Sequence, residues 1–72
     1  MPLNNRLREM RTGRGWTQQD LAHAVGVTRQ TIIAIEKGGY EPSVRLALEL
    51  AGELTVPVDD LFWVSSPKGE RD

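Results

Sequence analysis

Two helix-start signatures stand in register along WTQQDLAHAVGVTRQTIIAIEKG, residues 16–38, and together they leave few folds open. Each is a hydrophobe followed by threonine: Trp16 before Thr17, and Val27 before Thr28. Threonine at an N-cap accepts a hydrogen bond from a free backbone N–H of the first turn, and the preceding hydrophobe staples to the residue at N4. Here those partners are Leu21 for Trp16 and Ile32 for Val27. Asp20, three residues after Thr17, completes a capping box. Gly26 suits the left-handed stop of the first helix. Two short helices are therefore expected to meet at a turn of about three residues pivoting on Gly26.

The faces of these helices differ. In the first, Leu21, Ala22 and Val25 make the core stripe, and their small members let another helix approach closely. His23 falls on the outer side, a surface histidine with no second metal ligand or nucleophile pattern beside it. In the second, Thr28 to Lys37, a turn of about 100° per residue puts Ile32 and Ile35 on one side. Gln30, Ala34 and Lys37 fall on the other, Ile33 at the edge of that outer stripe, and Arg29 at the exposed N-terminal turn. An apolar back with a front of small, amide and cationic groups is what a helix entering the DNA major groove requires. A capped helix, a glycine turn and a second capped helix form the helix-turn-helix unit, whose second member is the recognition helix.

The flanking segments read as three more helices. Asn4 or Asn5 can cap a first one running to about Thr12, with Leu3, Leu7 and Met10 as its stripe, ending at Gly13. Arg11 lies on the flank of that stripe, where its guanidinium can turn inward or stay solvated. After Gly38 a loop of Gly39, Tyr40, Glu41 and Pro42 leads to Ser43, the cap of Val44 to Leu54. Backbone N–H groups of this loop and the helix end at Ser43 are expected to suit a phosphate. The apolar positions of Val44 to Leu54 exceed one stripe, so burial on two sides is expected. A short last helix, Val58 to Phe62, is followed by Trp63 and Val64. This run either folds back to close the core or forms a homodimer contact. The pattern predicts an all-α domain over residues 1–64 with a polar, disordered tail at 65–72.

Composition narrows the function. A chain of 72 residues buries only about 60% of its unfolded surface, so it gains much from a partner copy. It has no cysteine and one histidine, which excludes a disulfide frame and a Cys/His zinc site; no metal or other cofactor is expected. No nucleophile–base pair, phosphate loop or enclosed pocket is legible, so an enzyme is not expected, nor a small-molecule ligand. No stretch approaches the roughly 20 apolar residues of a membrane span, nor does the start resemble a signal peptide, and a cytoplasmic chain without membrane contact is expected. The net charge of −1 argues against a nucleic-acid partner until it is divided. Residues 1–40 hold six cations against three acids, a balance of +3, whereas residues 41–72 hold three against seven, a balance of −4. One half can face an anion while the other stays away from it.

From Asn5 to Phe62 the chain resembles the Cro/phage-repressor type of helix-turn-helix regulator, also called the xenobiotic-response-element family. The matching runs are NRLREMR, WTQQDLAHAVGVTRQTIIAIEKG, YEPSVRLALELA and VDDLF. The resemblance implies a compact five-helix, lambda-repressor-like DNA-binding domain of prokaryotic type, with helices 2 and 3 forming the helix-turn-helix. It implies that Thr28, Arg29, Gln30 and Ala34 face bases of double-stranded DNA, and that Gln18, Lys37, Tyr40 and Arg45 meet phosphates. Arginine pairs with guanine, glutamine with adenine, and an alanine methyl meets thymine's. It pairs Arg11 with Glu36 as a structural ion pair. It further implies a transcriptional repressor, a homodimer on a palindromic operator, with Leu61, Phe62, Trp63 and Val64 expected at the dimer interface.

Three residues depart from that family pattern. Ile33 stands where a small or polar residue is common. Thr55 stands at a helix end where Gly or Asn is usual, and a β-branched residue resists positive φ there. Pro57 replaces a frequent serine cap. The competing reading is a protein-interaction module, such as an antitoxin or adaptor, that uses the apolar region Leu48 to Val64.

Overall fold

The computed structural model describes residues 3–65. In chain order it contains β1 (Leu3–Asn5), α1 (Leu7–Gly13), α2 (Gln18–Val25), α3 (Arg29–Glu36), α4 (Val44–Leu54), α5 (Val58–Leu61) and β2 (Phe62–Val64). The five expected helices are present, but the all-α expectation is corrected by a two-stranded antiparallel sheet. In it Leu3 faces Val64, Asn4 faces Trp63 and Asn5 faces Phe62. Leu3 is thus a strand residue packed on the core, not the start of a helical stripe. The first helix begins at Leu7, because Asn5 is spent differently. Its Oδ1 accepts from the Leu7 N–H at 3.0 Å and its Nδ2 donates to the Ile35 carbonyl at 3.0 Å. At the other end Phe62 leaves the last helix for the sheet, and the Arg6 N–H bonds the Leu61 carbonyl at 2.9 Å. The polar tail expected at 65–72 lies, apart from Ser65, outside the described residues.

The core joins Leu7, Leu21, Ile32, Ile35, Leu50, Leu54 and Leu61, all fully buried. Each such side chain contributes about 1.5–3 kcal/mol relative to exposure. Helix α4 is covered on one side only: Leu46, Leu50, Ala51 and Leu54 are buried, while Leu48 is 53% exposed and Val44 more so. The expectation of burial on two sides is corrected, because α2 and α5 together cover less than its full girth.

Four helix ends use one device, α1 among them, since Gly15 and Trp16 close it on the carbonyls of Thr12 and Arg11. In each, the residue in the left-handed region and the one after it donate back to the last turn, the Schellman pattern. Gly26 and Val27 close α2 on the carbonyls of His23 and Ala22, and Gly38 and Gly39 close α3 on those of Ile35 and Ala34. Thr55 and Val56 close α4 on Gly52 and Ala51. Thr55 takes φ 54° and ψ 46° despite its β-branch. Its hydroxyl donates to the Leu54 carbonyl at 2.7 Å and receives the Arg14 guanidinium. An L-residue there costs about 1–2 kcal/mol, against about 0.5–1 kcal/mol that glycine adds in unfolded-chain entropy. Thr55→Gly is therefore expected to stabilise the chain by up to about 1 kcal/mol, a rise in melting temperature of several degrees for a domain this small. A fall on thermal denaturation means that the Arg14 contact outweighs the strain.

Candidate nucleic-acid interface

Local chemistry sets the two helices of the corner. Thr17 Oγ1 accepts from the Asp20 N–H and Asp20 Oδ2 accepts from the Thr17 N–H, both at 2.9 Å. The Thr17 backbone bond, aided by the Thr17 hydroxyl, holds the Asp20 carboxyl below its usual pKa. The contribution of this cap is therefore present above the ordinary aspartate pKa and lost as pH falls through the lower folded value. Thr28 Oγ1 accepts from the Thr31 N–H at 3.4 Å, a looser cap on the recognition helix. Arg29 and Gln30 are exposed on α3 and Lys37 at its C-cap, with Ile33 and Ala34 half-buried between them.

Behind this face, one buried carboxylate joins four pieces of chain. Glu36 Oε2 accepts from Arg11 Nε at 2.7 Å and Oε1 from Arg11 Nη2 at 3.2 Å. Oε1 also accepts from Gln18 Nε2 at 3.2 Å, while Arg11 Nη1 donates to the Trp16 carbonyl at 2.8 Å. The two charged side chains are only 9% and 5% exposed. Among the described residues no buried side-chain polar atom lacks a partner. The network ties α1, the turn at Trp16, the start of α2 and the end of α3 together. Arg11 thus turns inward, the course its flank position left open. Gln18 is held by the same carboxylate, a link invisible to helical periodicity.

Beside the pair lies an open groove of about 590 Å³, lined by Arg8, Trp16, Thr17, Gln18, Ile33 and Lys37 together with Arg11 and Glu36. It brings together Gln18 and Lys37 of the residues expected to meet phosphate, and it adds Arg8, which the sequence revealed only as one more charge. Arg8 precedes Arg11 by three residues, one turn along the same helix side. Tyr40 and Arg45 sit apart from it. Tyr40 is exposed over a small hollow shared with Leu3, Asn5, Ile35 and Phe62, beside the sheet. Arg45 is exposed and pairs with Glu49 one turn on, Nε to Oε2 at 3.2 Å, so its charge is partly answered already. The loop after α3 offers fewer free donors than expected, since the N–H groups of Gly38 and Gly39 are bonded within the helix end.

The C-terminal apolar run divides. Leu61 and Phe62 belong to the core of the single chain, whereas Trp63 is 37% and Val64 55% exposed on β2. The Arg6 guanidinium lies 4.9 Å from the centre of the Trp63 ring, a cation–π contact that leaves part of the indole open. Among the described residues no helix is long and apolar enough to cross a membrane.

Known proteins share this arrangement. The family described as Helix-turn-helix matches residues 7–61. An HTH-type transcriptional regulator of Bacillus subtilis, YgzD, is 44% identical over 62 residues, covering 86% of this chain and 94% of that protein. The cryptic phage CTXphi transcriptional repressor RstR of Vibrio cholerae is 31% identical over 58 residues, covering 81% of this chain and 52% of the repressor. Among solved structures, the restriction-modification controller protein C.AhdI of Aeromonas hydrophila superposes with a TM-score of 0.72 at 34% identity, covering 76% of this chain and 83% of the controller. With its α2–α3 corner, capped and closed as described, this chain belongs to the helix-turn-helix family of the Cro/phage-repressor type.

Proposed function

We propose that this transcriptional regulator represses by binding a palindromic operator as a homodimer, with α3 in the major groove of each half-site. The observation that carries the reading is the arrangement of α3: exposed Arg29 and Gln30 beside Ala34, bordered by a groove that gathers Arg8, Gln18 and Lys37. Arg29, Gln30, Ala34 and Thr28 read base edges, and Lys37, Gln18 and Arg8 hold phosphate. Tyr40 and Arg45 supply rim contacts, Arg45 after releasing Glu49. RstR, a repressor by name, shares this domain, which supports repression over activation.

Trp63 and Val64 form the centre of the dimer contact, with Leu61 and Phe62 supporting it from the core. Asn5 ties the sheet to the Ile35 carbonyl near the C-terminal end of α3. Dimerisation through the sheet therefore turns Lys37 toward the two-fold axis and Arg29 toward the outer bases, with half-sites about one turn, roughly 34 Å, apart.

Selection from random duplex DNA is expected to return a two-fold-related site. Affinity for it should fall with salt on a log–log plot by a slope near 0.9 per phosphate contact. Failure of the folded protein to bind any duplex at low salt refutes the reading. Sedimentation of Trp63→Ala is expected to show the mass of a single chain where the parent shows two; an unchanged dimer mass removes Trp63 from the interface.

A further inference from the structure

Ile33 is the one large apolar side chain of α3 that stands outside the core cluster. Ile32 and Ile35 are fully buried, and the partly buried hydrophobics packed on the core include Val25 and Val27 but not Ile33. Its place is instead in the groove, whose other walls are polar or charged except for Trp16. Along α3 it is one turn after Arg29 and one turn before Lys37, so the three form a row down the helix. A half-buried isoleucine in this groove adds nothing to phosphate binding, and water solvates its open part poorly. The apolar groups that DNA offers a major-groove helix are the C5-methyl of thymine and the sugar carbons. Sugars lie behind the phosphates, which Arg8, Gln18 and Lys37 hold in the reading above, whereas Arg29, one turn before Ile33 in the same row, is the base reader.

We propose that Ile33 is a specificity-determining residue that reads a thymine by its C5-methyl group, next to the base pair that Arg29 reads. This rests on the operator-binding reading above. Four helical residues rise about 6 Å, close to two base-pair steps of about 3.4 Å. The thymine therefore lies one or two base pairs from the Arg29 contact, toward the two-fold axis. Cytosine presents hydrogen where thymine has the methyl, so Ile33 separates T·A from C·G there. Ala34, with a single methyl on the neighbouring row, reaches less far into the groove.

The experiment replaces each thymine of the selected duplex in turn by deoxyuridine, which removes the methyl and keeps the pairing. The full chain and its Ile33→Ala and Ile33→Val variants are titrated on each duplex, with melting curves to show that the variants fold. One deoxyuridine position, one or two base pairs inside the Arg29 contact, is expected to weaken the parent about fourfold, the worth of one buried methyl. The same replacement should leave Ile33→Ala unaffected, and Ile33→Val should retain most of the discrimination. If no deoxyuridine changes parent affinity as much as twofold, the assignment is overturned while operator binding stands. If Ile33→Ala weakens all duplexes equally and keeps the deoxyuridine effect, Ile33 packs on the sugar-phosphate strand and the assignment is again overturned. If no site is selected at all, the operator reading fails first and takes the assignment with it.

Discussion

Glu36→Gln is expected to lower the free energy of unfolding by about 3–5 kcal/mol, because it leaves the Arg11 guanidinium buried without its counter-charge. The two side chains are 9% and 5% exposed, so solvent cannot replace the lost carboxylate oxygen. A domain of this size has in total roughly 4–11 kcal/mol, so the variant should be near unfolding at moderate temperature. Urea denaturation followed by circular dichroism measures the loss, and a change below about 1 kcal/mol would show that the pair is effectively solvated. The double variant Arg11→Met, Glu36→Leu should recover part of the stability, since two charges no longer need to be desolvated. Recovery stops short because the Trp16 carbonyl loses its donor, at about 1–3 kcal/mol. In the operator-binding reading proposed above, Glu36 also bears on DNA binding through Gln18, whose amide its carboxylate holds at 3.2 Å.

Arg29→Ala should lose about 1–3 kcal/mol of affinity for the selected site, roughly 5- to 150-fold, and relax the preference at one base pair. Arg29 is exposed at the first turn of α3, so the substitution removes the proposed reader without touching the core. Lys37→Ala separates position from chemistry. It should weaken all duplexes alike and reduce the salt slope by about 0.9, the signature of one lost phosphate contact. Competition titrations on matched and single-mismatch duplexes distinguish the two. Unchanged affinity and preference for Arg29→Ala would remove Arg29 from the base-reading set.

How much of this was legible in the chain follows from the range of each signal. The caps at Thr17, Thr28 and Ser43 and the stops at Gly26 and Gly38 act within four or five residues, and all five stand where the sequence puts them. The core stripes Leu21–Ala22 and Ile32–Ile35 follow from helical period alone. Thr55 shows the limit of a local rule: the left-handed residue its side chain resists is imposed by the closure of α4 on Val56. Leu3 shows another, since an apolar residue four before Leu7 fits a helix as well as a strand. Arg8 was hidden for a different reason: one arginine among six cations in the first 40 residues has no sequence mark of the groove it lines.

The sequence by itself determined the two capped helices, the glycine corner between them and the face that α3 turns outward, because those depend on hydrogen bonds and periodicities within one or two turns. Only the tertiary structure decided which distant groups meet. The sheet pairs Leu3–Asn5 with Phe62–Val64 across nearly the whole chain, and a three-residue strand is too short to carry a period. That pairing leaves Trp63 and Val64 outside while Leu61 and Phe62 go in. The meeting of Arg11, Gln18 and Glu36, and the place of Ile33 in the groove beside them, likewise depend on how α1, α2 and α3 pack. Local chemistry writes each helix, and the shared core settles what stands beside it.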